Sequence, residues 1–246
     1  MPEVDRHYSE PRLAELYDAL CDGRAQQSFY LPLIMASQSV LDVGTGTGEL
    51  LRLARQAGHT GRLTGLDPAE AMLSVARRRS DIEWVQGDLS TATWRDTFEL
   101  AIMTGHAFQV LLSDDSIRTA LAAVRDALTS DGRFVFETRN PLAREWERWN
   151  AEAPEYATVD GVTVRVVYEV EKAPGADGLL TFRHTFTSPG WETSDYSVST
   201  LRFLTSDQLH AFVAEAGLRV EAQFGDWDRS PLSETSLEII TVASRA

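Results

Sequence analysis

The chain has 246 residues and a formal net charge of -14, and 43% of its residues are hydrophobic. This length and composition predict one compact domain, or one domain that carries a large insertion. The negative charge opposes a nucleic-acid partner, because a phosphate backbone would be repelled unless a local basic patch dominated. The dense basic run Arg77 to Arg79 ends a predicted helix, where cations complement the helix dipole and face solvent. The composition therefore favours a small molecule as the ligand.

Targeting signals and cysteine content limit the expected location of the protein and its possible covalent and metal cross-links. The chain has no apolar run of about 18 residues and no start of the secretory type, so neither a membrane span nor a membrane partner is predicted. A cytoplasmic protein is expected. Cys21 is the single cysteine, which excludes an internal disulfide and argues against a thiolate zinc site.

The first segment, 1–36, is predicted to be helical. Leu13, Leu16, Tyr17 and Leu20 recur at the spacing of one helix face. The same spacing would place Tyr17 in a buried stripe, so a packing role and a binding role for its side chain both remain open.

The first predicted strand ends in a turn that contains Gly44, Gly46 and Gly48. Glycine allows positive φ and the close approach of a ligand, so a strand, this turn and a following helix predict a nucleotide-type cradle. A dinucleotide site would need glycine where Glu49 stands, and Asp42 would repel a pyrophosphate. No Lys-Ser or Lys-Thr pair follows the turn, which excludes a P-loop. The acidic turn favours a cationic cofactor.

Apolar runs and helical stretches alternate along the chain, which is typical of an α/β fold with a parallel sheet. The predicted strands are Val40 to Val43, Leu63 to Leu66, Ile82 to Val85, Phe98 to Met103 and Arg133 to Glu137. The predicted helices are Glu49 to Gln56, Ala69 to Arg78, and Ser116 to Leu128, which stops before Ser130-Asp131-Gly132. A capping box at Thr205 to Gln208 predicts a last helix that ends at Gly217. Two further strands are predicted at Leu218 to Phe224 and Leu237 to Ala243.

Residues 155–204 show a different sequence pattern from the rest of the chain. Apolar and polar residues alternate from Val162 to Glu171 and again from Leu180 to Thr187, and Tyr196 to Phe203 predicts a third strand. This pattern indicates an antiparallel β insertion. A small sheet needs a cover for each apolar face, so the insertion is expected to serve as a lid over the substrate or as a homodimer surface, unless it only enlarges the core.

Three motifs with regular spacing give the chain a family resemblance. Asp42 to Gly48, Gly65-Leu66-Asp67-Pro68, and Gly87-Asp88-Leu89 follow one another at intervals of about 20 residues, the length of one βα unit. The chain resembles the class I S-adenosylmethionine-dependent methyltransferases. This resemblance implies S-adenosylmethionine as the cofactor, with Asp67 accepting from the ribose hydroxyls and Asp88 from the adenine amino group.

The resemblance also implies a Rossmann-like, seven-stranded, mostly parallel sheet with helices on both faces. The segment 1–36 would then be a helical cap over the cofactor, in which Tyr17 and Arg24 match residues near the methionine carboxylate of similar enzymes. The cofactor-binding residues predicted in this way are Tyr17, Arg24, Asp42, Gly44, Thr45, Gly46, Gly48, Asp67, Pro68, Met72, Asp88, Leu89 and Thr104.

The end of the fourth strand is where the methyl group should lie, because open α/β sheets bind ligands beyond the carboxyl ends of their strands. Thr104 and His106 flank this position, and Phe108 is predicted to bind substrate. His106 could deprotonate a hydroxyl or an ammonium, or it could only donate a hydrogen bond within the pocket. The Asn/Asp-Pro-Pro-aromatic motif of enzymes that methylate base amines is missing, and the histidine spacing predicts no metal site.

The segment after the fifth strand resembles a bacterial group of small-molecule methyltransferases, through Glu-Thr-Arg-Asn-Pro and a following Trp-Glu-Arg-Trp. Arg139 could pair with a substrate carboxylate or phosphate. Trp146 and Trp149 could form an aromatic wall. Their alternative roles are a salt bridge and the packing of a helix under the insertion.

The sequence therefore predicts methyl transfer to oxygen or nitrogen of a small-molecule acceptor. Two other functions stay open. The chain could bind the cofactor or its demethylated product without catalysis, or it could use decarboxylated cofactor for aminopropyl transfer, although no paired acidic pocket for a diamine is present near strand four.

Overall fold

The computed structural model describes residues 4–20, 23–150, 152, 154–159 and 161–246, without the side chain of Arg24. Cys21 and the predicted cofactor contact of Arg24 therefore lie outside the described part. No helix in that part has both the length and the apolar character that a membrane crossing needs.

Two sheets and seven α-helices organise the described residues. The helices are α1 (Arg6–Ser9), α2 (Pro11–Leu20), α3 (Arg24–Met35), α4 (Glu49–Gln56), α5 (Glu70–Ala76), α6 (Asp114–Ala127) and α7 (Ser206–Glu215). The first sheet contains β1 (Ser39–Val43), β2 (Arg62–Asp67), β3 (Glu83–Gln86), β4 (Phe98–Met103), β5 (Leu128–Arg139), β10 (Leu218–Phe224) and β11 (Glu238–Arg245). The second contains β6 (Glu155–Val159), β7 (Val162–Lys172), β8 (Leu179–Thr187) and β9 (Asp195–Arg202).

The first sheet has the strand order β10-β11-β5-β4-β1-β2-β3. Strands β1 to β5 pair in parallel, and β11 is antiparallel to both of its neighbours. Helices α6 and α7 pack on one face of the sheet, whereas α3 and α4 pack on the other. The predicted seven-stranded, mostly parallel sheet with helices on both faces is confirmed. The strand order changes direction between β1 and β4, where Asp42 of β1 pairs with Ile102 of β4. Ligands of such sheets bind beyond the carboxyl ends of the strands at this point.

The predicted starts of β5 and α6 are wrong. β5 begins at Leu128, not Arg133, and it runs through the predicted turn at Ser130-Asp131-Gly132. The turn residues instead make a bulge, because the register with β4 shifts between Phe98 and Leu100. The start of α6 moves to Asp114 because Ser113 caps the helix, accepting from the Ser116 amide at 3.1 Å.

The second sheet confirms the antiparallel insertion, with order β6-β7-β8-β9. Its inner face packs against α2, where Leu13 and Leu16 contact Val164, Val166 and Phe186. The opposite side of α2 packs against α5, through Ala14, Ala69 and Met72. Helix α2 therefore lies between the insertion and the first sheet's helices, next to the carboxyl edge.

Asp195 holds the first helices onto the insertion. Its carboxylate accepts from Arg6 Nε at 2.9 Å and from Arg12 Nη2 at 2.9 Å. Burial alone would raise the pKa of Asp195, but the hydrogen bonds from Arg6 and Arg12 outweigh burial and leave the pKa below its usual value. One carboxylate thus joins both α1 and α2 to β9.

The substitution Asp195→Asn should loosen α1 and α2 without unfolding the first sheet. It removes the charge that both guanidinium groups share, and because both are half exposed we expect a loss of about 1 kcal/mol. Hydrogen exchange followed by mass spectrometry should show faster exchange in α1 and α2, with β1 to β5 unchanged. Asp177→Asn, in an exposed turn of the insertion, is the matched control. Equal protection of α1 and α2 in Asp195→Asn and the wild type would contradict this account of the docking.

Candidate functional site

The glycine-rich turn after β1 depends on backbone conformations that glycine adopts readily. Gly44, Gly46 and Gly48 have φ angles of 70°, 57° and 74°. The turn is tied to β2, because the amides of Gly44 and Thr45 both donate to the Leu66 carbonyl, at 2.8 and 3.1 Å. A Cβ on Gly44 would lie 2.9 Å from the Cβ of Ala107, so glycine also lets the turn approach the loop after β4.

Asp67 fixes the other side of this turn. One carboxylate oxygen accepts from the Gly46 amide at 2.8 Å, and the other accepts from the Ala69 amide at 2.8 Å. Burial raises the pKa of Asp67, although both amide hydrogen bonds act in the opposite direction. The sequence predicted Asp67 as a ribose contact; the structure adds that its carboxylate holds the turn and the start of α5. Met72 of α5 borders the turn, with Cε 3.1 Å from the position of a Cβ on Gly46.

Asp42 is a buried carboxyl group with one unpaired oxygen. Thr45 donates its hydroxyl to Oδ2 at 2.7 Å, whereas Oδ1 has no hydrogen-bond partner among the described residues. Burial raises the pKa of Asp42 to about 7; the bond from Thr45 opposes this effect, and the charges of Asp67 and Glu137 add to it. A buried, unpaired carboxylate oxygen is stabilised by a cationic group beside it. This environment fits a cofactor that carries positive charge.

Asp88 supplies a second unpaired acceptor. Its Oδ1 accepts from the amide of Ser90 at 2.8 Å and from the Ser90 hydroxyl. Its Oδ2 is buried without a partner among the described residues. Leu89 is buried beside it, whereas Pro68 is half-buried after β2. An oxygen that can only accept, next to an apolar side chain, fits an amino group on an aromatic ring.

The residues fit S-adenosylmethionine on these grounds. The two unpaired carboxylate oxygens suit the two N–H-bearing ends of that molecule. Hydrogen bonds join Thr45 to Asp42 and Gly46 to Asp67. The structure therefore assembles the three sequence motifs at the carboxyl ends of β1, β2 and β3.

Helix α2 borders this site and contacts the loops that follow β1 and β4. Tyr17 lies near the loop after β4, with its hydroxyl 3.5 Å from the position of a Cβ on Gly105. Asp18 accepts from the hydroxyl of Thr47 in the glycine-rich turn. Sequence reasoning singled out Tyr17 but gave no role to Asp18, since a helical carboxylate carries no local sign that it caps a distant turn.

His106 lies at the mouth of the site, paired with a residue far along the chain. Its Nε2 is 2.9 Å from Glu238 Oε2 and 3.1 Å from Oε1, and both side chains are largely buried. Its backbone has φ of 60°, a left-handed conformation that costs energy for a residue other than glycine. Thr104, two residues earlier, accepts from the Ala107 amide at 3.3 Å. Sequence reasoning missed Glu238, because a residue 132 positions away gives no local signal.

Glu137 holds His106 in this conformation. It is fully buried at 0% exposure, and its Oε1 accepts from the His106 amide at 3.1 Å. The same oxygen accepts from Gln26 at 2.6 Å, and the Tyr30 hydroxyl donates to Oε2. Burial raises the pKa of Glu137, and the charge of His106 and the Tyr30 hydrogen bond oppose this effect. Two residues of α3 are thereby connected to the loop that carries His106.

Arg139 lies beside the site but is already engaged. Its Nη1 donates to Gln109 Oε1 at 3.3 Å, and its Nε lies 3.5 Å from Glu145. Its guanidinium also stacks 5.1 Å from the centre of the Trp149 ring. The salt bridge that was the alternative role of Arg139 is present, so a substrate anion would have to compete with Glu145.

Two predicted substrate contacts are buried in apolar clusters. Phe108 is 2% exposed and stacks on Phe136 at 4.4 Å, so its position supports a packing role. Trp146 packs under the insertion, 4.8 Å from Phe203. The predicted helix that carries it is a short 3-10 turn, Glu145–Arg148, and Trp149 follows that turn. Trp149 alone of the two tryptophans contacts Arg139.

Among the described ranges, no three or more histidine, cysteine, aspartate or glutamate side chains lie together as metal ligands would. The sequence prediction of a metal-free site stays a prediction.

Comparisons with known proteins identify similarity to methyltransferases. A family profile described as a methyltransferase domain covers residues 40–132. The 2-phytyl-1,4-naphtoquinone methyltransferase of Thermosynechococcus vestitus is 45% identical over 31% of this chain and 40% of that protein. The demethylmenaquinone methyltransferase of Thermotoga maritima is 28% identical over 85% of this chain and 86% of that protein. The chain spans less than half the length of the first two curated relatives that it matches.

Solved structures share the complete fold. The CcbJ methyltransferase of Streptomyces caelestis superposes with a TM-score of 0.80 at 19% identity, over 99% of this chain and 100% of that one. CalS10, an amino pentose methyltransferase from Micromonospora echinaspora solved with S-adenosylmethionine bound, gives a TM-score of 0.66 at 22% identity, over 94% and 92% of the two chains. These likenesses extend the match beyond the profile to the helical segment and the insertion.

The substitution Asp42→Asn should change how stability depends on pH. The folded state keeps a proton on Asp42 up to a pH of about 7, whereas the unfolded chain loses it near pH 4. The folded state therefore binds more protons between these values, and the free energy of unfolding falls as the pH rises through this window. Asp42→Asn removes this contribution, so its stability relative to wild type should rise by up to about 1.4 kcal/mol per pH unit.

Urea unfolding of both proteins at several pH values between 4 and 8 measures this difference. Asp115→Asn is the control, because the Asp115 side chain is 98% exposed. A stability difference between Asp42→Asn and wild type that is constant with pH would contradict the raised pKa of Asp42.

Proposed function

Because the chain belongs to the class I S-adenosylmethionine-dependent methyltransferases, we propose that it transfers the cofactor's methyl group to an oxygen or a nitrogen of a small molecule. The observation that carries this proposal is the His106–Glu238 pair at the end of β4. An acceptor oxygen or nitrogen bears a proton that must leave when it is methylated, and this pair is suited to take it.

We propose that Nδ1 of His106 is the proton acceptor. An Nε2–H that donates to the Glu238 carboxylate leaves Nδ1 as the bare nitrogen of the ring. The negative charge of Glu238 would then stabilise the imidazolium that forms after proton transfer. Glu137 contributes by holding the backbone of His106, so that the ring keeps its direction while an acceptor binds.

The cofactor supplies an electrophilic methyl group next to a sulfonium, and the protein's own residues bind and orient it. Asp88 Oδ2 and Asp42 Oδ1 are the acceptors that would receive its N–H groups. Helix α2 and the insertion cover the carboxyl edge, and we propose that they act as the cap and lid that exclude water. Positioning and water exclusion can lower the barrier substantially without further acid or base groups.

A small acceptor is supported by charge and by similarity. The net charge of -14 opposes a phosphate polymer as substrate. Among similar proteins, one methylates a naphthoquinone and another an amino pentose, according to their names. These two acceptor classes are the first to test. The oxygen of a quinol and the amine of a sugar both present the proton that the His106–Glu238 pair would remove.

The substitutions His106→Gln and Glu238→Gln test the proposed base. We expect His106→Gln to lower kcat by about 10²- to 10⁴-fold, the usual contribution of a general base. Glu238→Gln should lower kcat by a smaller factor, because the ring loses its charged partner and keeps a hydrogen bond. Formation of S-adenosylhomocysteine is measured with panels of hydroxylated quinones and amino sugars.

Calorimetry with S-adenosylhomocysteine should give the wild-type affinity for both variants, which separates catalysis from cofactor binding. The exposed His210→Gln is the matched control and should be fully active. Wild-type kcat in His106→Gln would refute the base. Tight cofactor binding with no turnover on either panel would instead favour a binding protein without catalysis.

A further inference from the structure

Two buried histidines meet where the first helix contacts the insertion. His7 of α1 and His184 of β8 are each 4% exposed, and their Nδ1 atoms lie 3.1 Å apart. The Nε2 atom of each ring is buried and has no hydrogen-bond partner among the described residues. Buried polar atoms are nearly always paired, and an unpaired one costs about 1 to 3 kcal/mol. The pair therefore requires an explanation.

The contact between the two rings fixes their hydrogens. Burial lowers the pKa of His7 to about 4 and that of His184 to about 3, where the charges of His7 and Arg139 add to the effect, so both rings are neutral at pH 7. In a neutral pair joined through Nδ1, one Nδ1 must carry the hydrogen and the other must accept it. The two rings are then opposite tautomers. One Nε2 is an N–H donor and the other is a bare acceptor.

His184 interrupts an otherwise apolar inner face of the insertion. Along β8, Leu180, Phe182 and Phe186 point to the same face as His184 and are buried. The first two belong to the cluster around Trp146, whereas Phe186 belongs to the cluster around α2. A polar side chain between two apolar clusters costs free energy unless its nitrogen atoms are hydrogen-bonded, and the unpaired Nε2 therefore favours a ligand that pairs with it.

Contacts connect this pair to the site of methyl transfer. The ring of Tyr17 lies 5.6 Å from His7, and its hydroxyl borders Gly105, the residue before His106. On the other side, Phe182 lies 4.6 Å from His184 and 5.0 Å from Trp149, which contacts Arg139. The histidine pair thus lies between the two groups of residues that border the loop after β4.

Aromatic rings surround the pair. Their centres lie 4.6 to 6.1 Å from the histidine rings, and they are Tyr8, Tyr17, Tyr168, Phe182 and Phe186. Aromatic side chains of this kind favour contact with a flat or cyclic apolar part of a ligand. The Nε2–H donor of one histidine and the bare Nε2 acceptor of the other are neutral, so they favour hydroxyl groups over ions. Hydroxyl groups both donate and accept, which matches the two tautomers.

We propose that His7 and His184 form a binding subsite for hydroxyl groups on a neutral ring of the methyl acceptor. One Nε2–H donates to a hydroxyl oxygen, and the other Nε2 accepts a hydroxyl hydrogen. The proposal rests on the proposed function, since it assigns these residues to the acceptor of that reaction. A sugar and a phenol share this chemistry, and the experiment distinguishes them.

The test uses the full chain with labelled histidine, saturated with S-adenosylhomocysteine. Long-range proton–nitrogen NMR first reports the tautomers, and we expect His7 and His184 to be opposite and neutral at pH 7. Phenol and methyl β-D-xylopyranoside are then added separately, with toluene as the matched probe without a hydroxyl. The expected result is a shift of both Nε2 resonances with one of the hydroxylic probes and none with toluene, while exposed His210 stays unchanged.

The double substitution His7→Phe/His184→Phe separates a ligand subsite from a structural pair. Replacing both polar partners by apolar rings should leave the unfolding midpoint unchanged or higher, because two unpaired nitrogen atoms are removed. Affinity for the responding probe should fall at least about tenfold, which corresponds to about 1.4 kcal/mol.

Three results would overturn the proposal. They are identical tautomers, no Nε2 shift with either hydroxylic probe, and a double variant that loses stability and keeps probe binding, as expected if ordered water satisfies the pair. Failure of S-adenosylhomocysteine to bind would instead refute the proposed function, and calorimetry detects that separately.

Discussion

The Asp67 carboxylate imposes the constraint on which the site depends. By accepting from the amides of Gly46 and Ala69, it holds the glycine-rich turn against the start of α5. The turn can approach the loop after β4 only because Gly44 has no side chain. These contacts bring the ends of three parallel strands together around unpaired carboxylate oxygens. The same turn then provides Thr47 as the anchor for Asp18, which fixes α2 above the site.

Buried carboxyl groups dominate the electrostatics of this region. Asp42, Asp67 and Glu137 are all withdrawn from water, and burial raises the pKa of each. A site of this kind is costly when its charges are uncompensated, and it is relieved by a cation. A sulfonium cofactor with an ammonium group meets that requirement, whereas a pyrophosphate would worsen it. The departure from the dinucleotide pattern, visible in the sequence at Asp42, therefore has a structural reason.

The sequence could predict those features of the fold that depend on short-range patterns of residues. The three motifs that contain Gly48, Asp67 and Asp88 predicted the strand ends, and the alternation in residues 155–204 predicted the second sheet. It could not predict Glu238 beside His106, because that contact depends on β11 inserting next to β5 with a particular register. The burial of Phe108 was missed, and the choice between packing and binding for Trp146 stayed open, for a related reason: an aromatic residue near a strand end has the same local pattern whether it faces the core or a ligand.

Calorimetric titration of the purified protein with S-adenosylmethionine, S-adenosylhomocysteine and NAD tests the central claim most directly. Wild type is compared with Asp67→Ala and with Asp115→Asn as the exposed control. Binding of the first two ligands and none of NAD is expected, with weaker binding in Asp67→Ala because Gly46 and Ala69 lose the carboxylate that accepts from their amides. Binding of NAD, or a folded wild type that binds neither of the first two ligands, would contradict it.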